Sequence, residues 1–188
     1  MAPDHMLAEG SAIASTARAT PDYQRGRDDN PVVIVLSAPG QREELANKPA
    51  AGQTGRTLSL ALAEFHRRRP ELFPSPEKDD YRIANAATTV HYQAKTGRTE
   101  ASDAELFSPR NLARLAADLA GKSTILALGG RARDALEAAG FTPRFSGPHP
   151  SMQFINRNYK VEGATSGERA KLRLARYVEA LLASEAGA

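Results

Sequence analysis

Pro31-Val32-Val33-Ile34-Val35-Leu36-Ser37-Ala38-Pro39-Gly40 is the stretch on which the fold turns. Val32 to Leu36 offers no polar position to face water, so it reads as a strand buried on both faces. Ala38-Pro39-Gly40 ends it abruptly and opens a polar loop that runs to Gly55. Downstream, Ser123–Leu128 is a second apolar run, broken by Gly129-Gly130. Tyr81–Ala87 is a weaker strand, since alanine is a poor strand former. Phe141–Phe145 reads as a short edge strand because Pro143 has no N–H for a ladder.

Helical patterns fall between these runs. Thr54 is placed to cap a helix reaching Arg69, with Leu58, Leu62 and Phe65 on one face and Pro70 closing it. Others span Asp103 or Ser108 to Leu119, Arg131–Ala139 ahead of Gly140, and about Gly167–Ser184. A short helix over Asp4–Arg18 and a linker fill residues 1–30, and residues 31–188 form one domain. Strands alternating with helices predict an α/β fold, a three-layer α/β/α sandwich around a central, mostly parallel four-stranded sheet.

The composition narrows the chemistry. With no cysteine among its 188 residues, the chain has no disulfide, no thiolate metal or cluster ligand and no thiol nucleophile. No apolar run approaches the ~20 residues that span a bilayer. Asp4, His5 and Glu9 interrupt any signal pattern, so a soluble, cytoplasmic monomer is expected. Between Phe141 and Tyr177 there are seven basic residues against two acidic ones. That excess suits a face meeting a polyanion, and equally a solvated helix surface.

In a parallel α/β sheet the functional loops leave the carboxyl ends of the strands. Here they are Ser37–Gly55, Asn85–Ser102 and Ser146–Ser166. None carries a dinucleotide fingerprint, a Walker-type loop or a Gly-x-Ser-x-Gly elbow. His5, His66, His91 and His149 are scattered, so neither a metal nor a cofactor is expected.

Together, the loops carry Leu36-Ser37-Ala38-Pro39-Gly40, Glu43-Glu44, Pro49-Ala50-Ala51-Gly52, Gly55-Arg56-Thr57-Leu58, Asn85, Leu128-Gly129 and His149-Pro150-Ser151. In order and spacing this resembles the uracil-DNA glycosylase superfamily, nearest its iron–sulfur-containing bacterial and archaeal branch. The branch reads Gly-Glu-Ala-Pro-Gly, an acidic pair, then Gly-x-Pro-Phe-Val-Gly-x-x-Gly-x-Leu-Leu. An Asn ends its second strand, and His-Pro-Ser or a close variant lies in its last loop. The resemblance covers about Val32–Tyr159 and implies an enzyme that extrudes a nucleotide from DNA and cleaves its glycosidic bond.

The residues fit that chemistry. An amide at Asn85 offers both donor and acceptor to a pyrimidine edge. His149 can donate to a base carbonyl that gains negative charge as the N–C bond breaks. Ala38, Pro39 and Gly40 allow close approach to sugar and phosphate. Ser151 can grip a phosphate, with Arg144, Arg157 and Lys160 adding attraction to the DNA backbone. Taken singly, each also fits a structural role: Pro39-Gly40 as a turn, Asn85 as a turn former, His149-Pro150 as loop, Glu43-Glu44 as a solvated pair.

The chain departs from the branch at four places. Thr88-Thr89 stands where the branch has Lys-Cys, so a cluster-free relative is implied. Ser37 replaces the Glu before Ala-Pro-Gly, leaving water activation to Ser37, Gln41, Glu43 or Glu44, or to substrate phosphates. Ala50-Ala51 replaces Phe-Val and removes a ring that stacks on uracil in the family, a contact usually worth ~1–3 kcal/mol per base. Asn47 replaces a Gly and puts a hydrogen-bonding side chain near the pocket mouth, alongside Ala50, Ala51 and Gly52. A roomier pocket predicts excision of a modified, bulky 5-substituted pyrimidine, an activity that suits defence against viruses with decorated DNA. Uracil excision in repair and a catalytically inactive DNA-binding module are the alternatives.

Overall fold

The computed structural model describes residues 20–163 and 165–186; the helix expected over Asp4–Arg18 lies outside them. The apolar run forms β2 (Val32–Leu36), every residue of it buried. Alternation along the strand sends Val32, Ile34 and Leu36 to one core and Val33 and Val35 to the other. This two-sided burial explains why the strand shows no polar positions. β3 (Arg82–Asn85) and β4 (Thr124–Leu128) flank β2 in parallel, and β5 (Phe145–Gly147) extends the sheet beyond β4.

The sheet has five strands, in the order β1-β3-β2-β4-β5, one more than the sequence predicts. The addition, β1 (Tyr23–Gln24), runs antiparallel to β3. Two residues in a polar segment carry no periodicity, so the segment reads as linker although it holds an edge strand. β5 starts at Phe145, where the sequence reading ends its strand, because pairing begins only past Pro143. β3 closes at Asn85, yet the Ala86 and Ala87 N–H groups still donate to the Leu36 and Ser37 carbonyls, at 2.7 and 3.0 Å.

Eight α-helices lie among the described residues. In the polar loop after β2, α1 (Gln41–Ala46) forms and α2 (Gly52–Arg68) starts ahead of Thr54, which therefore caps nothing. α3 (Gln93–Thr96) is one turn. Of the two starts read for the next helix, Asp103 opens a separate turn, α4 (Asp103–Leu106), and Ser108 caps α5 (Pro109–Leu119), whose first position Pro109 occupies. α6 (Gly130–Ala138), α7 (Met152–Asn158) and α8 (Ser166–Leu182) complete the set. Leu58, Leu62 and Phe65 of α2, Ile155 of α7 and Tyr177, Val178 and Leu181 of α8 pack with Ile34, Leu36 and Leu128. Leu106, Leu115, Leu119 and Leu136 cover Val33 and Val35 on the other face. The result is the α/β/α sandwich, with the carboxyl ends of the four parallel strands along one edge. No helix among the described residues is long and apolar enough to cross a membrane.

On α2, Glu64 accepts from Arg67 and Arg68 at 2.7 and 2.6 Å. The Arg67 guanidinium above all holds the Glu64 carboxyl down from 4.5 to about 2. A lowered carboxylate contributes stability above its unfolded value and loses it as pH falls through the folded one. Glu64→Gln is therefore expected to cost about 1 kcal/mol at neutral pH. In thermal melts, the gap to wild type should close as pH falls from 4.5 toward about 2.

Candidate active site

Three strand ends meet at Gly129. Its φ of +115° permits a backbone turn in which its N–H donates to the Gly147 carbonyl at 2.8 Å, tying β4 to β5. A Cβ at Gly129 would lie 2.8 Å from the Ser37 Oγ and 3.9 Å from the His149 Cβ. The Ser37 hydroxyl from the end of β2 and the Cβ of His149 from the loop after β5 thus border the same small space, which the absence of a side chain keeps open.

The loop bearing His149 is fixed through its backbone. The Tyr177 hydroxyl donates to the Pro148 carbonyl at 2.8 Å, and the Ser151 N–H donates to the His149 carbonyl at 2.7 Å. The Ser151 Oγ accepts from the Phe154 N–H at 3.2 Å and caps α7, leaving its O–H as a donor for a ligand. The His149 imidazole has no hydrogen-bond partner among the described residues. Burial pushes it below its ordinary 6.5, with the Glu100 carboxylate pulling the other way. At neutral pH it is an uncharged ring with an N–H to give.

The loop after β2 is held as firmly. The His91 N–H donates to the Pro39 carbonyl at 2.9 Å, and Gly40 caps α1 with its N–H on the Glu43 carboxylate at 3.1 Å. Glu44 accepts from the Lys95 ammonium and from the Tyr92 hydroxyl, the latter at 3.1 Å. Both carboxylates named as water activators are therefore engaged in holding the loop, while Gln41 is exposed on α1. Asn47 ends α1 in a left-handed conformation, φ +47°, as its cap. Ala51 and Gly52 border an open cavity of about 630 Å³.

Ala50 is 3 % exposed and packs in the cluster of Leu36, Leu58 and Ile155, so it is core and not a pocket wall. Its φ of +49° places it in the left-handed region, in the turn that leads into α2. Asn85 is 1 % exposed. Its amide nitrogen faces the Pro21 and Asp22 carbonyls at 3.4 and 3.5 Å, so base recognition by this amide requires residues 21–22 to draw aside. Arg144 donates to Glu185 through Nε and Nη2 at 2.8 and 2.5 Å, which neutralises it as a phosphate ligand. Arg157 and Lys160 are exposed and form no ion pair among the described residues, nor do Lys171 and Arg176 of α8.

Two contributors have roles that their sequence does not reveal. Gly129 reads as a strand breaker and as part of the Leu128-Gly129 strand end, with nothing to show the space it keeps open. His91 is a lone histidine in a polar loop, yet its side chain is fully buried, with Nδ1 3.1 Å from the Thr96 hydroxyl and Nε2 3.4 Å from Glu105. No group of three or more His, Asp or Glu among the described residues is arranged to hold a metal ion. No protein-family model matches the chain, and no curated protein matches it either.

Proposed function

We propose that this chain is a monofunctional DNA N-glycosylase that extrudes a pyrimidine carrying a bulky 5-substituent, hydrolyses its glycosidic bond and leaves an abasic site. The observation that carries the reading is the meeting of Ser37 and an unpartnered, neutral His149 around Gly129, at the carboxyl edge of a parallel sheet. Rupture of the bond between the base nitrogen and C1′ sends the electron pair into the base. A donor aimed at the base carbonyl then lowers the barrier as charge develops, without itself changing protonation state. Water adds at C1′ and its proton ends on the departing base. Ser37 and Gln41 are the groups left to orient that water, since Glu43 and Glu44 are engaged elsewhere. Such a departure depends more on charge stabilisation than on a strong base. Ser151, Arg157 and Lys160 supply donors and charge for the backbone. The preference for a bulky substituent rests on the sequence alone, on the loss of the ring that the family carries between Pro49 and Gly52, and draws no support from Ala50, which is core.

The test is a panel of oligonucleotides containing uracil, hypoxanthine or bulky 5-substituted cytosines, scored for alkali-labile sites. Cleavage is expected at the bulky substrates; cleavage at uracil alone would sink the substrate assignment. The engaged carboxylates also favour a second reading, a non-catalytic DNA-binding module of the same fold. Salt-sensitive binding with no cleavage of any substrate would select it.

A further inference from the structure

The chain from Gly147 to His149 has a partner for every carbonyl. The Gly147 carbonyl accepts from the Gly129 N–H at 2.8 Å, and the His149 carbonyl from the Ser151 N–H at 2.7 Å. The third, at Pro148, is met by a side chain from a distant element, the Tyr177 hydroxyl of α8, at 2.8 Å and 29 residues away. Pro148 and Pro150 stiffen the backbone on either side of His149. The imidazole itself has no hydrogen-bond partner among the described residues, so its place is set by the backbone that carries it.

The same end of α8 touches this segment again. A Cβ at Gly147 would lie 2.2 Å from the Leu181 Cδ2, so the chain passes that side chain at a distance only glycine allows. Just past the helix, the Ser184 Oγ accepts from the Ser146 N–H at 3.1 Å, and the Ala186 N–H donates to the Arg144 carbonyl at 2.8 Å. These bonds close the edge of β5 that β4 leaves open. Tyr177, Leu181 and Ser184 stand at the i, i+4 and i+7 spacing of one helix face. The Tyr177 ring is buried and meets Tyr159 edge-on, with centroids 6.1 Å apart. Burial pushes its phenol well above the ordinary 10.0, so its O–H is there to donate at any working pH.

We infer that Tyr177 is a positioning residue for His149, acting through the Pro148 carbonyl, and that with Leu181 and Ser184 it sets the loop against Gly129. The placement of the ring stands on these contacts. That the placement serves excision rests on the glycosylase reading.

The experiment titrates the imidazoles of the whole protein by NMR, the His149 signal being the one that His149→Ala lacks. Wild type is expected to show a midpoint below 6.5. Tyr177→Phe keeps the ring and deletes the anchor, so the loop should move toward solvent and the midpoint rise toward 6.5. Gly147→Ala should shift it the same way by pressing on Leu181, and Gly147→Ala/Leu181→Ala should bring it back. Leu119→Ala, in the core on the other face of the sheet, should lower Tm at least as far as Tyr177→Phe yet leave the midpoint in place. On a substrate that wild type excises, Tyr177→Phe should lower the single-turnover rate about tenfold, with the half-saturating protein concentration unchanged, since displacements of ~1 Å cost up to ~10²-fold. An unmoved His149 midpoint, or a wild-type rate of excision, in Tyr177→Phe would overturn the inference. A midpoint that moves in a protein whose wild type excises no base would keep the placement of the ring and remove the glycosylase reading instead.

Discussion

Replacing His149 with Ala is expected to lower single-turnover excision about 10²–10³-fold, the usual loss on removing one donor to a developing anion. On the proposed reading the ring meets the base and other groups hold the phosphates, so DNA affinity should fall less than threefold. The pH profile gives an independent signature. Burial holds the imidazole below its ordinary 6.5, so the neutral donor persists into mildly acidic solution. An acid limb of kcat/KM that follows this ring should lie below pH 6.5 and disappear in His149→Ala. The stability effect has the same origin. The unfolded chain takes up a proton at His149 before the folded protein does, so this group's contribution declines as pH drops below 6.5 and levels off below the folded value. A His149→Ala variant with undiminished turnover would remove His149 from the chemistry.

Gly55→Ala is expected to have the largest effect on stability. A Cβ there would lie 1.7 Å from the Ala50 carbonyl oxygen and 2.7 Å from its carbon, contacts with backbone that no rotamer change relieves. Either α2 moves away from the turn at Ala50 or the turn opens, and both disturb the cluster of Leu36, Leu58 and Ile155. Overpacking of this kind costs roughly 3 kcal/mol or more. For a domain of this size that is a fall in Tm of roughly 6–12 °C. The control is Gly130→Ala, where a Cβ meets nothing within 4 Å and the melt should stay close to wild type. If Gly55→Ala melted with the wild type, the turn would not be wedged against α2 as described.

Much of this arrangement is legible in the residues. Val32–Leu36 and Ser123–Leu128 announce buried strands, and the helices read from Ser108, over Arg131–Ala139 and over about Gly167–Ser184 lie within a few positions of α5, α6 and α8. The convergence of Ser37 and His149 follows from the rule that loops at the carboxyl ends of parallel strands share an edge. What resists reading is pairing across sequence distance. Nothing local reveals that Arg144 meets Glu185, 41 residues away, or that Glu44 meets Lys95, 51 residues away. An acidic pair and a free basic residue look the same in sequence whether or not they find each other. Ala50 misleads for a related reason: replacing a ring by a methyl suggests an emptied pocket, whereas the backbone turn buries the methyl in the core. The glycine spacing from Gly52 to Gly55 is visible in sequence, but its cause is tertiary, the Ala50 carbonyl lying where a side chain at Gly55 would be.

The central claim is that this edge of the sheet breaks a glycosidic bond. Its most direct test is mass spectrometry of the products from duplex DNA bearing one bulky 5-substituted cytosine, with protein in excess. The prediction is free modified base and an abasic strand in equal amounts, formed by wild type and lost in His149→Ala. Bound but chemically intact DNA, with no free base from this duplex or from one containing uracil, would contradict it.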